Sequence, residues 1–265
     1  MLEFHQDTHQ YKSIIPDNLE WLSVTKIIGA LCPPFDAYKM SQLCSKKRKS
    51  KWYGMDPADI RAAWDGENKR STELGHWYHN LKEQEAMQKS NVVAPIFKDN
   101  VKIAPFQQLK EGMCYPEHLV YLTSVGIAGQ VDYPEVTEEG VLNITDYKTS
   151  KEIRREGWKN YEGISAKMLA PVHHLDECEF NHYALQLSLY AYIITRHNPS
   201  ITVGNLTIEH VKFEEEGRDK YDYPIYTKVE DTYIVKEVEK IQLPYLKKEV
   251  VSIIEWLKIN RNNIK

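Results

Sequence analysis

The chain has 265 residues, 42% of them apolar and 27% charged, with a formal net charge of −4. That is the composition of an ordinary folded protein, long enough to bury a real core as one large domain or as a core with a smaller lobe. The charge balance excludes a global basic field of the kind that coats nucleic acid non-specifically, while leaving room for a local basic groove.

In chain order, residues 1–20 predict an irregular or short extended lead-in. With early acids and no apolar core, they read as neither a secretory signal nor a transit peptide. Trp21 to Gly29 predicts a short helix capped by Ser23 or Thr25 and stopped by Pro33-Pro34. Another helical pattern runs from Ala37 to Lys49 into a basic stretch, Lys46, Lys47, Arg48, Lys49 and Lys51, followed by Trp52 and Tyr53. Cations beside rings suit a strand of nucleic acid, with phosphates on the charges and bases on the aromatics; a solvated helix end fits equally well. Pro57 opens a helix over 58–65. A separate helix is predicted over 72–89, capped by Ser71 or Thr72, with Leu74, Tyr78 and Leu81 at helical spacing. It carries His76 and His79.

Residues 91–115 read as loop with short pieces of structure, and a strand follows from about Glu117 to Ser124. The next strand runs through Gly126-Ile-Ala-Gly-Gln-Val-Asp132, turns at Glu138-Glu139-Gly140 and returns as Val141-Leu-Asn-Ile-Thr145 into Asp146-Tyr147-Lys148. Residues 150–178 form a long connection, of the length that is usually functional or mobile. Asn181 is the expected cap of an apolar, buried helix over 182–197, which carries Gln186 and Tyr190 one turn apart. A strand over 201–213, a turn at 214–217, short extended pieces over 221–233 and an amphipathic helix over 245–260 complete the chain. The helix is opened by Pro244 and turns Leu246, Val250, Ile253, Ile254 and Leu257 inward. No apolar run is long enough to span a membrane, so the expectation is a soluble, cytoplasmic protein.

The chemistry concentrates in the hairpin over 126–148. Antiparallel pairing brings Asp132 and Asp146 together at one sheet edge, and two carboxylates make a hard-oxygen site suited to Mg²⁺. The pleat puts Lys148 on the same face as Asp146, where a cation can assist attack on a phosphate or stabilise the charge that develops on it. The pattern points to metal-dependent phosphodiester hydrolysis; a surface salt bridge at strand ends is the plain alternative. His79 offers a nitrogen ligand, although a lone histidine is more often structural. A Gln186 amide in an apolar helix must find partners, and Tyr190 beside it needs one for its hydroxyl. The cysteines Cys32, Cys44, Cys114 and Cys178 include no CxxC pair, which argues against a zinc ribbon and for a reduced intracellular setting. His173-His174, with no paired cysteines nearby, is a poor zinc site.

The ordered set Gly75-x-x-x-His79, Gly129-Gln-Val-Asp132, Asp146-Tyr147-Lys148 and Gln186-x-x-x-Tyr190 resembles the RecB-type branch of the PD-(D/E)XK nuclease superfamily. Ser23-Val-Thr-Lys-Ile-Ile and Pro34-Phe-Asp look like its bacteriophage members and the mitochondrial genome maintenance exonuclease. The resemblance implies an α/β fold with a restriction-endonuclease-like core, a mixed central sheet flanked by helices, as a single nuclease domain over 1–265. An N-terminal helical portion over about 20–70 would form a DNA-entry arch. It implies Mg²⁺ or Mn²⁺ held by His79, Asp132, Asp146 and the main-chain carbonyl of Tyr147, with Lys148 as the catalytic lysine. Gln186 and Tyr190 would support the site and contact DNA, and Glu117 is a weaker candidate. Val131 stands where the superfamily's proline would be. The iron–sulfur cluster of some relatives is expected to be absent, since no cysteine follows Cys178. No Walker A motif appears, so any helicase would be a separate chain.

The function so implied is an exonuclease acting on single-stranded DNA or free ends in phage or bacterial recombination, repair or replication. A recombination or replication protein would be its partner, and the host cytoplasm its setting if phage-encoded. Two alternatives stand beside it: a structure-specific endonuclease cutting flaps or branches, and a nuclease-fold DNA-binding module that has lost catalysis.

Overall fold

The computed structural model describes residues 2–6, 8, 10–14, 19–104, 107–160 and 162–264. Parts of the lead-in expected over 1–20, and Pro105 in the loop expected over 91–115, lie outside the described residues. In chain order the strands are β1 (Leu2–His5), β2 (Gln10–Ser13), β3 (Leu22–Ser23), β4 (Ile96–Lys98), β5 (Val101–Ala104), β6 (His118–Leu122), β7 (Ile127–Val131) and β8 (Tyr133–Val136). They continue with β9 (Val141–Lys148), β10 (Thr202–Phe213), β11 (Glu215–Arg218), β12 (Pro224–Tyr226), β13 (Lys228–Val229), β14 (Thr232–Tyr233) and β15 (Val235–Leu243). The helices are α1 (Val24–Ala30), α2 (Ala37–Lys46), α3 (Pro57–Met87), α4 (Glu179–His197) and α5 (Lys247–Asn260). The architecture is mixed α/β with several sheets.

The sheet that organises the chain has the order β15-β10-β9-β8. Its central pair, β9 and β10, is parallel, while β8 and β15 lie antiparallel at its edges. Parallel neighbours need a long crossover, and the connection over 150–178 together with α4 supplies it. Residues of β9 alternate between the two faces. Leu142 and Ile144 join a core with α1, α4 and α5, whereas Tyr147 joins a second core with Leu74 and Tyr78 of α3. Helices therefore cover both faces, and the face that buries Ile144 against α4 is also the face of Asp146 and Lys148.

A second sheet, β3-β7-β6, abuts the first at Asp132. The hairpin expected to run straight from Gly126 to Lys148 is broken there: β8 pairs with β9, but β7 pairs with β6 and β3. Hydrogen bonds from Tyr115 N to Pro134 O (2.9 Å) and from Glu117 N to Asp132 O (2.8 Å) carry the pairing past the break. A third sheet, β2-β1-β5-β4, packs Leu2 and Phe4 against Leu119, Tyr121 and Ala128.

Several local signals act as expected. Ser23 caps α1 by accepting from Lys26 N at 3.1 Å. Gly140 takes a positive φ of 72° in the turn before β9. Other expectations need correction. The helices predicted over 58–65 and 72–89 are one continuous helix, α3, capped by Asp56. The helix runs on through Gly66, and the Thr72 hydroxyl donates back to Asn68 O at 2.9 Å instead of capping a new start. Helix α4 starts earlier than expected, with Cys178 at its N-cap position, and Asn181 lies inside the first turn with its side-chain amide donating to Asp176 O at 2.9 Å. The turn over 214–217 is instead largely the strand β11, paired with β12. Among the described residues, no helix is long and apolar enough to cross a membrane.

Candidate active site

The bend between β7 and β8 aims the Asp132 carboxylate back across the sheet, where its Oδ2 accepts from Tyr147 N at 2.8 Å. One residue either side of Tyr147, Asp146 and Lys148 turn to the α4 face, and their carboxylate and ammonium form an ion pair. Lys148 Nζ also lies 5.0 Å from the centre of the Tyr183 ring, a cation–π contact from α4. From the other side, α3 delivers His79. Its Nε2 lies 3.1 Å from the Tyr147 carbonyl oxygen, and its Nδ1 is 3.5 Å from Asp132 and 3.8 Å from Glu117.

Glu117 reaches this point from a left-handed backbone, with φ +53°. A non-glycine residue in that region is strained by about 1–3 kcal/mol, and such strain clusters where a side chain must be aimed. Gln130 donates to the Glu117 carboxylate, and Lys102 donates to Gln130 Oε1 at 3.2 Å. Lys102 itself is only 2% exposed.

His79, Glu117, Gln130, Asp132, Asp146 and Lys148 line one cleft of about 510 Å³, together with Ser23 and Thr25 at the start of α1 and with Gln186 and Tyr190 of α4. Gln186 donates to the Tyr190 hydroxyl at 3.3 Å, so the amide finds its partner within its own helix. The Tyr190 ring lies flush on β7. A Cβ at Gly129 would stand 2.4 Å from its Cε1, too close for any side chain. That close approach is the physical reason for a glycine three residues before Asp132.

The electrostatics of the cleft follow from burial and from its neighbouring charges. Burial first, and the charge of Asp132 second, raise the Asp146 carboxyl to about 6 against the opposing pull of Lys148. Asp132 is also raised, first by burial, with His79 and Lys148 pulling the other way. Burial would lower His79, but the Asp132 and Glu117 carboxylates hold its imidazole up at about 9. Carboxyls pushed above their usual range, beside an imidazole held protonated, mark a concentration of buried negative charge. His79, Glu117 and Asp132 also offer ligand atoms that all lie within 4.8 Å of one another. A nitrogen and carboxylate oxygens at that spacing fit a divalent cation, which would replace the proton on His79.

Among the sequence candidates, the structure thus brings together His79, Glu117, Asp132, Asp146, the Tyr147 carbonyl and Lys148, with Gln186 and Tyr190 in the cleft wall. The basic stretch is separate: among the described residues, none of 46–53 lines the cleft. Lys46, Lys47, Arg48 and Lys49 are exposed, as is Tyr53. Trp52 is 6% exposed and packs with Trp64, Tyr221 and Tyr223, so its ring has no free face for a base. Lys51 is occupied too, donating to Tyr221 O at 2.8 Å and lying 4.4 Å from the Tyr223 ring centre. The sequence reading missed Lys102, Gln130 and Glu83. A lysine within the alternating run Val101–Ala104 was a signal for the first. For Glu83, one helical turn beyond His79 and also in the cleft, the i,i+4 spacing was the signal.

No family model and no curated protein matches the chain. Solved structures align with most of it. That of SSO0001 has 12% identity and a TM-score of 0.36, covering 92% of this chain and 78% of its own. That of a candidate exonuclease from Eubacterium rectale has 11% identity and a TM-score of 0.34, covering 93% and 80%. Likeness this slight carries no argument. The functional reading stands on the residues of the cleft.

Proposed function

We propose that the chain is a nuclease dependent on Mg²⁺ or Mn²⁺, hydrolysing DNA as an exonuclease that favours single strands or free ends. Its fold on this reading is a restriction-endonuclease-like core, and its setting is phage or bacterial recombination, repair or replication. The observation that supports it best is the meeting of Asp132, Asp146, Glu117, His79 and Lys148 in one cleft. Their short range and excess of carboxylate match what a cation and a phosphodiester require.

His79, Asp132, Asp146 and the Tyr147 carbonyl would hold the ion, with Glu117 beside them. A divalent ion there supplies Lewis acidity, sharpening the attacking water and offsetting phosphate charge. Lys148 keeps a proton on Nζ, because Asp146 and Asp132 outweigh the burial that would remove it. Its fixed positive charge therefore faces the phosphate as negative charge grows on the equatorial oxygens. Tyr147 N–H locks Asp132 in orientation, and Lys102 with Gln130 does the same for Glu117. Gln186 and Tyr190 form a rigid wall against which the nucleotide next to the scissile bond can rest.

The test is a time course on end-labelled linear DNA and on circular single-stranded DNA with Mg²⁺, run beside Asp132→Ala. The expected result is progressive shortening of the linear substrate, an intact circle, and no digestion by the variant. Opening of the circle would replace the exonuclease with an endonuclease. Digestion by Asp132→Ala at the rate of the unaltered chain would overturn the site.

A further inference from the structure

Away from the cleft, Cys32, Glu177 and His182 meet where the segment after α1 passes the first turns of α4. Cys32 Sγ lies 3.3 Å from His182 Nε2, and the same Nε2 lies 3.4 Å from Glu177 Oε1. All three side chains are partly exposed, so an ion could enter from solvent, and their ligand atoms fall within 4.8 Å of one another.

Zinc takes thiolate sulfur at about 2.3 Å and nitrogen or oxygen at about 2.0–2.2 Å in a tetrahedron. Those bond lengths separate sulfur from nitrogen by about 3.6 Å and nitrogen from oxygen by about 3.4 Å. The two spacings in this cluster match them within a few tenths of an ångström. The nearby cation Arg154 does not compete for Glu177, since its guanidinium is held by Glu179 at 2.6 and 2.9 Å. We propose that Cys32, Glu177 and His182 form a zinc site, with a fourth position open to solvent.

Such an ion joins three segments remote in sequence: the exit of α1, the end of the connection over 150–178 and the start of α4. Both helices also face the cleft, α1 through Ser23 and Thr25 and α4 through Gln186, one turn beyond His182. The zinc site is therefore a staple behind the cleft wall, independent of any ion bound by Asp132.

Cobalt(II) reports it selectively, because a sulfur-to-cobalt charge-transfer band requires thiolate ligation and the Asp132 site contains no sulfur. The full chain, stripped with a chelator and titrated with Co²⁺, is expected to develop a saturable band of that kind and lose it when Zn²⁺ is added. Asp132→Asn and Cys44→Ser should keep the band, while Cys32→Ser should abolish it. Glu177→Gln should weaken Co²⁺ binding by at least about tenfold, and it serves as the readout if Cys32→Ser fails to fold. Absence of the band in the folded chain, its survival in Cys32→Ser, or unchanged affinity in Glu177→Gln would overturn the proposal and leave a hydrogen-bonded trio.

Discussion

Lys148→Ala is expected to lower the single-turnover rate of DNA cleavage by about 10²–10³-fold, the loss seen when one preorganised charge-stabilising group is removed. The chain should remain folded. Asp146, 1% exposed, loses its ion partner in this variant, and stranding a buried charge costs about 3–5 kcal/mol. Asp146 has an escape, however. Its carboxyl already sits at about 6 through burial and the charge of Asp132, and without Lys148 it rises further and takes up a proton. The destabilisation should therefore be small at pH 5 and grow toward pH 8, where keeping that proton becomes costly. Lys148→Met, which retains the aliphatic stem, should lose as much activity. Denaturation curves at the two pH values, beside the rates, separate catalysis from folding. Cleavage within a few-fold of the unaltered chain would remove Lys148 from the mechanism.

The affinity of the cleft for Mn²⁺ should climb about tenfold per pH unit between pH 7 and 9, since each ion bound must displace the proton on His79. The imidazole is held up at about 9 because the Asp132 and Glu117 carboxylates overcome the effect of its burial. Below about pH 6 the proton on Asp146 adds to the slope. The same groups set an opposite trend in the metal-free chain. A histidine raised from 6.5 to about 9 contributes stability that is full below pH 6.5 and lost as the pH passes 9. A carboxyl raised from 3.8 to about 6 contributes stability that is lost as the pH rises through 6. The metal-free chain should thus melt at progressively lower temperature from pH 5 to pH 9, and Mn²⁺ should restore most at the alkaline end. Calorimetric titration of the unaltered chain and of His79→Asn reads this directly. The variant should show a nearly flat profile above pH 7, and an unchanged slope would take His79 out of the ligand set.

Much of the site was legible because its signals are local. Ser23 before an apolar helix, a glutamate pair with Gly140 before an alternating strand, and Asp146 two residues from Lys148 each state their geometry within a few positions. What was hidden depends on distant partners. The span of α3 was obscured by Gly66 and by Thr72, whose hydroxyl resembles a cap until Asn68 O is seen to accept from it. The strand β15 was not anticipated because it is an edge strand, with Lys236, Glu237, Glu239 and Lys240 exposed and only Ile241 and Leu243 buried. Such charges are what an edge needs to avoid further pairing. Trp52 looked like a base-stacking residue because nothing near it in sequence announces Trp64, Tyr221 and Tyr223. The left-handed backbone of Glu117 likewise has no glycine or asparagine to signal it, and Cys32 and His182 are separated by 150 positions.

On the proposed function, side chains from separate parts of the chain share one cation. A crystal of the unaltered chain soaked in Mn²⁺ at pH 8 and measured at a wavelength where manganese scatters anomalously addresses that directly. The predicted result is an anomalous peak bonded to the Asp132 and Asp146 carboxylates and to His79, and its disappearance in Asp132→Asn crystals. A saturating soak that leaves the space between those three side chains without a peak would contradict the account.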